Sequence, residues 1–214
     1  MSKDHPSSRS ARHRRRFTPI VLIAGVAGAI LLSLSLSSTL SAFTASITNS
    51  VDTAGVGNLV MQEKTTGGTP VTCNSNDGST ASNSFTCATI NKYGGGATLV
   101  PGGSVSTTVT IGNTGTVTPT AFTLTPGTCT ATAGPGGLSD LCGVLVITVK
   151  SGATTIATGT PTALASAGAI NLAAYIPAIG TPTSFTFTVS LPSSATNGEQ
   201  GASVSQPLAW TFTS

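Results

Sequence analysis

The chain has 214 residues, of which 7% are charged and 5% aromatic, with a formal net charge of +3. Both histidines (His5, His13) and all five arginines fall within the first 16 residues, so Ala42–Ser214 holds only Lys64, Lys92, Lys150 and the acids Asp52, Glu63, Asp77, Asp140 and Glu199. That inventory excludes a Ser–His–Asp relay or a His-ligated zinc downstream of the first 16 residues, and it points to a structural or binding role.

Residues 1–41 read as an export signal. Six positive charges and one negative charge precede an apolar run from Pro19 to Leu40, and Thr39-Leu40-Ser41 supplies small residues around a cleavage point between Ser41 and Ala42. An uncleaved anchor is the alternative, because about 20 apolar residues suffice to cross a bilayer. The signal carries a net +5 and Ala42–Ser214 a net −2, so the overall basicity implies no nucleic-acid partner. The expected location is secreted, extracellular or at the cell surface, with a signal peptidase as partner during export.

The segment 42–52 alternates. Phe43, Ala45, Ile47 and Val51 share one face, and Thr44, Ser46, Thr48 and Ser50 the other. This fits the first strand of the chain's own sheet. It equally fits a donor strand that pairs with the open sheet edge of a neighbour and builds a head-to-tail filament.

Asn58–Glu63 is a short candidate strand. Four cysteines follow in two sequence-local pairs, Cys73/Cys87 and Cys129/Cys142. In an exported chain they read as two disulfides, with local pairing favoured among the three possible connectivities because the intervening segments are turn-rich. A four-cysteine zinc site would need tighter knuckles. Asn74–Ser79 resembles a calcium loop only faintly, since its acid spacing does not fit, and reads as a polar loop tip. Gly94-Gly95-Gly96 lacks the lysine and hydroxyl of a phosphate loop.

Val105–Ile111 alternates as a strand, with Val105, Val109 and Ile111 inward, and ends in an Asn113-Thr114-Gly115 turn. Thr120–Thr125 is a shorter strand. Gly143–Lys150 is apolar on both faces and reads as a central strand, turning at Lys150-Ser151-Gly152. Ala163–Ala169 suits a helical turn. Ser184–Leu191 places Phe185, Phe187, Val189 and Leu191 inward, and Val204–Phe212 does so with Leu208, Trp210 and Phe212. The Thr-x-Thr pairs fit the solvent face of half-buried strands better than an ice-binding face. Together these elements predict an all-β chain: residues 42–214 as a single β-sandwich, jelly-roll or immunoglobulin-like, with two disulfide-closed loops.

Several motifs occur in a recognisable order. They are Ser41-Ala42-Phe43 at the cleavage point, Gly57-Asn58-Leu59, Val109-Thr110-Ile111-Gly112-Asn113-Thr114-Gly115, Asn197 with Gln200-Gly201, and Trp210-Thr211-Phe212. In these the chain resembles the TasA/camelysin family of bacterial secreted proteins, whose signals are cut by an alternate, SipW-like signal peptidase. The resemblance implies a jelly-roll-like sandwich that forms extracellular biofilm-matrix fibres by donor-strand complementation, with Ala42 to about Val51 as donor. Camelysin has been classed as a metallopeptidase, but Ala42–Ser214 has no histidine, and that activity is not carried over. The cysteine pairs are an addition to the family pattern. The expected function is therefore a non-enzymatic, self-polymerising fibre subunit without cofactor, with matrix polysaccharide as a further partner. A monomeric adhesin or glycan-binding module is the alternative, and a secreted metallopeptidase a remote one.

Overall fold

Of the inward residues expected from period-two alternation, those of the two central strands are mostly buried, while Val105, Leu208, Trp210 and Phe212 are half-buried. Val109 and Ile111 are fully buried, as are Phe185 and Phe187, with Val189 beside them. The computed structural model describes residues 53–79, 81–137 and 140–214. The signal, Ser41, Ala42 and the alternating segment with Phe43, Ala45, Ile47 and Val51 lie outside the described residues.

Six strands form the larger sheet: β1 (Met61–Thr65), β2 (Thr72–Asn74), β3 (Ser104–Asn113), β6 (Val146–Ser151), β7 (Thr154–Gly159) and β9 (Thr183–Ser190), in the order β2-β1-β3-β9-β6-β7. Every pairing in it is antiparallel. A smaller sheet orders β11 (Leu208–Thr213), β4 (Ala121–Pro126) and β8 (Ile170–Asn171), and a two-stranded ribbon joins β5 (Thr130–Thr132) to β10 (Ser203–Ser205). The two larger sheets meet through aromatic rings. Phe122 of β4 packs edge-on against Phe185 of β9 at 5.8 Å, and Trp210 of β11 lies 5.0 Å from Phe185 and 5.9 Å from Phe187. The all-β sandwich expected from the sequence is therefore present, with both disulfides local: Cys73–Cys87 and Cys129–Cys142.

Four boundaries differ from expectation, the first being the strand expected at Asn58–Glu63, which starts three residues later as β1 because Asn58 is engaged with the Thr114–Val117 turn. Gly143–Lys150 is not one strand: α1 (Leu141–Val144) takes its first residues, and β6 starts at Val146. β6 is interior to its sheet but half-buried, with Ile147 and Val149 inward and Lys150 exposed. Cys142 within α1 ties that turn to Cys129, which explains why the apolar run bends before pairing. Val204–Phe212 is likewise split, because Pro207 has no N–H to continue a ladder. Gln206 instead turns its side chain inward and donates to the carbonyls of Gly127 and Pro161. The helical turn expected at 163–169 is α2 (Pro161–Ala167), started two residues earlier by Thr160, whose hydroxyl accepts from Ala163 N–H, and by Pro161 at its first position.

Two of the quoted motifs dock on one another. Buried Asn113 closes the turn after β3 by accepting from Gly115 N–H and donating to the Val117 carbonyl. Thr114 N–H then donates to Val60 O and Thr116 N–H to Asn58 O. A side chain at position 115 would put its Cβ 2.4 Å from Asn58 O, so only glycine permits this contact. Among the described residues, Asn58–Met61 are the first to bond to the sandwich, with Met61 paired to Asn113 at the far end of β3.

Candidate functional site

Among the described residues, β11 is an edge strand whose one ladder is with β4. Its odd-numbered residues direct their main-chain groups toward β4, as the bonds from Gly127 N–H to Pro207 O and Thr120 N–H to Thr213 O show. In an antiparallel ladder the intervening residues point the other way. The N–H and C=O groups of Leu208, Trp210 and Phe212 therefore face the free side, and no described residue pairs with them. The side chains of the same three residues are only partly buried against the core.

An irregular segment, residues 84–101, reaches the Gln206 and Trp210 neighbourhood through its side chains. No main-chain hydrogen bond joins residues 84–99 to any described strand. Side chains fix it instead. Cys87 is tied to Cys73 on β2, and Ile90 is buried. Lys92 Nζ lies 2.8 Å from Glu63 Oε1, each side chain 9% exposed. The Trp210 indole N–H donates to the same carboxylate at 3.0 Å, so β1, β11 and the irregular segment converge on one atom. Tyr93 O–H donates to Gln206 Oε1, and burial pushes its phenol well above the ordinary value of 10.0, keeping it a neutral donor. Gly94, at φ +87°, passes so close to Val105 that a Cβ would lie 2.8 Å from its methyls.

Between residues 87–101 and residues 196–208 lies an open cleft of about 820 Å³. Its floor is apolar, built from Leu141, Leu145, Val189 and Leu191. The rim at 196–200 is set by a capping box. Glu199 accepts from Thr196 N–H and O–H, and these bonds hold its carboxyl below the ordinary 4.5.

The cleft lies at the Ser104 end of β3, where Gly102 N–H donates to Leu191 O. The first described residues to bond to the sandwich, Asn58–Met61, lie at the Asn113 end of the same strand. At about 3.3 Å per residue, the length of β3 separates the two by about 30 Å.

Among the described residues, no three His, Cys, Asp or Glu side chains group to hold a metal. Asp77 spends its oxygens on Asn74 N–H and Nδ2, which lowers its pKa and fits the polar loop tip expected there. The Thr-x-Thr hydroxyls pair across strands, as Ser106 with Thr188 and Thr108 with Thr186. No helix among the described residues is long and apolar enough to cross a membrane.

Sequence reasoning missed three features of the site. Phe122, fully buried at the sandwich centre, was hidden in a threonine-rich strand. The pairing of Glu63 with Lys92 joins an inward position of β1 to a residue in no regular element. The Tyr93–Gln206 contact spans 113 positions. The one local sign was an acid at an inward strand position, which needs a partner when buried. In comparison with known proteins, the chain matches no protein-family model and no curated protein.

Proposed function

We propose that the chain is a secreted, non-enzymatic structural subunit that polymerises head-to-tail into extracellular fibres, with Ala42–Val51 of one copy acting as a strand donor to the next. The observation that carries this reading is the β11 edge, unpaired among the described residues, beside an apolar-floored cleft. A ten-residue donor extends about 33 Å, enough to span the six residues of β11 and reach into the adjoining cleft. Its apolar face offers Phe43, Ile47 and Val51, each contributing about 1.5–3 kcal/mol when buried. The ordered motifs shared with the TasA/camelysin family support the same reading, as do two disulfides in a chain with an export-like leader.

The test is sedimentation and negative-stain microscopy of the chain beginning at Ala42, over a rising concentration series. Wild type should form filaments, while Phe43→Asp and Ile47→Asp should remain folded monomers with an unchanged Trp210 near-ultraviolet signal. A donor-dead variant that still polymerises would remove the mechanism. Variants that unfold instead would mean the segment completes its own sandwich, as in the monomeric adhesin alternative.

A further inference from the structure

In the single copy, residues 87–93 are fastened near Gln206 and Trp210 by side chains. Lys92 meets Glu63 on the carboxylate that also accepts from the Trp210 indole, and Tyr93 meets Gln206, yet residues 84–99 contribute no main-chain ladder to any described strand. A neighbour's strand pairing with Leu208, Trp210 and Phe212 would come beside the Gln206 and Trp210 side chains that Tyr93 and the Lys92–Glu63 pair engage. The segment can leave without breaking any sheet hydrogen bond. Its ends cannot leave: Cys87 is bonded to β2, and Gly102 is hydrogen-bonded to Leu191. Between these anchors Gly94, Gly95 and Gly96 give the chain freedom to swing, two of them already at positive φ.

Resting on the donor-strand reading, we infer that residues 88–101 are a tethered placeholder. They shield the receiving edge in the unassembled subunit and are displaced by the incoming donor. Displacement withdraws Lys92 from the buried Glu63 carboxylate, which then keeps only the Trp210 N–H. A buried carboxylate stripped of its partner is costly, and that cost sets the threshold for opening. The donor carries its own remedy. Its inward face (43, 45, 47, 49, 51) is apolar except at Asn49, whose side-chain amide donates hydrogen bonds and replaces Lys92 beside Glu63. Asn49 is thus the specificity-determining position: a wholly apolar strand would seal the groove over an unsatisfied charge.

The test uses the chain beginning at Ala42 with Phe43→Asp, which cannot donate but retains its receiving side. It is mixed with a synthetic peptide of the native sequence Ala42–Val51. Peptide binding is read by calorimetry, and lysine accessibility by N-hydroxysuccinimidyl acetate labelling with mass spectrometry. Exposed Lys64 and Lys150 serve as internal references. The peptide should bind and raise Lys92 labelling by at least about tenfold, the signature of a local opening, with Lys64 and Lys150 unchanged. A peptide carrying Asn49→Leu should bind at least about tenfold more weakly, as expected when a buried polar group is left unpaired. Binding with Lys92 still protected would overturn the placeholder and leave the donor reading intact. Equal binding of the two peptides would overturn the role of Asn49. Absence of binding by the native peptide would sink the donor reading and the placeholder together.

Discussion

Lys92→Met isolates the ion pair at the centre of the sandwich's open side. The substitution keeps most of the aliphatic stem and removes only the charge. Two unit charges at the observed 2.8 Å attract by about 6 kcal/mol at an effective dielectric of about 20. Most of that offsets the cost of taking both groups from water. Removing one partner leaves Glu63 buried with the Trp210 N–H alone, and a broken buried pair typically costs about 3–5 kcal/mol. Against a total stability of about 5–15 kcal/mol that is a large fraction. The double variant Glu63→Gln, Lys92→Met should recover most of the loss, because the amide oxygen introduced at position 63 still accepts from the Trp210 indole and no charge is stranded. Urea unfolding followed by Trp210 fluorescence measures both, since this is the single tryptophan and it contacts Glu63 directly. A Lys92→Met midpoint shift equivalent to less than about 0.5 kcal/mol, the range of ordinary surface changes, would refute this reasoning. So would a double variant as unstable as the single one.

Three further outcomes are expected. Phe122→Ala should destabilise the fold by about 3–5 kcal/mol in the same unfolding assay, because this ring is fully buried and contacts Phe185, Trp210 and Phe212; a loss below about 1 kcal/mol would contradict the placing of the core. Stability should fall as pH rises above 10.0, since the unfolded state releases the Tyr93 proton there while the folded state retains it; the dependence is absent below that pH, and Tyr93→Phe should flatten it. Replacing both Cys129 and Cys142 by serine opens a loop of 13 positions and should cost about 3 kcal/mol in urea unfolding, with an unchanged midpoint counting against the bridge as a stabilising element.

Much of the sandwich was legible because alternation and burial are the same fact in a half-buried strand. Val105–Ile111 and Ser184–Leu191 declare their inward residues by period two, and β3 and β9 pair over most of their length. The shortest strands, β2, β5, β8 and β10, carry two or three residues each, too few for any periodicity. β7 (Thr154–Gly159) is a threonine-rich edge with no alternation to read. Boundaries failed where a disulfide or a proline overrode the apolar pattern, at Cys142 and Pro207. The site was less legible than the fold, because it is made by a segment without regular structure. Nothing local in residues 84–101 says that Lys92 reaches Glu63 or that Tyr93 reaches Gln206; those are consequences of the closed fold.

Donor-strand assembly is tested most directly by a filament reconstruction, by electron cryo-microscopy, of the chain beginning at Ala42. Density is expected for residues 42–51 of one subunit laid beside Leu208–Phe212 of the next, with Phe43, Ile47 and Val51 facing the groove and residues 88–101 moved away. Density that keeps residues 42–51 within their own subunit, or monomers persisting at every concentration, would contradict it.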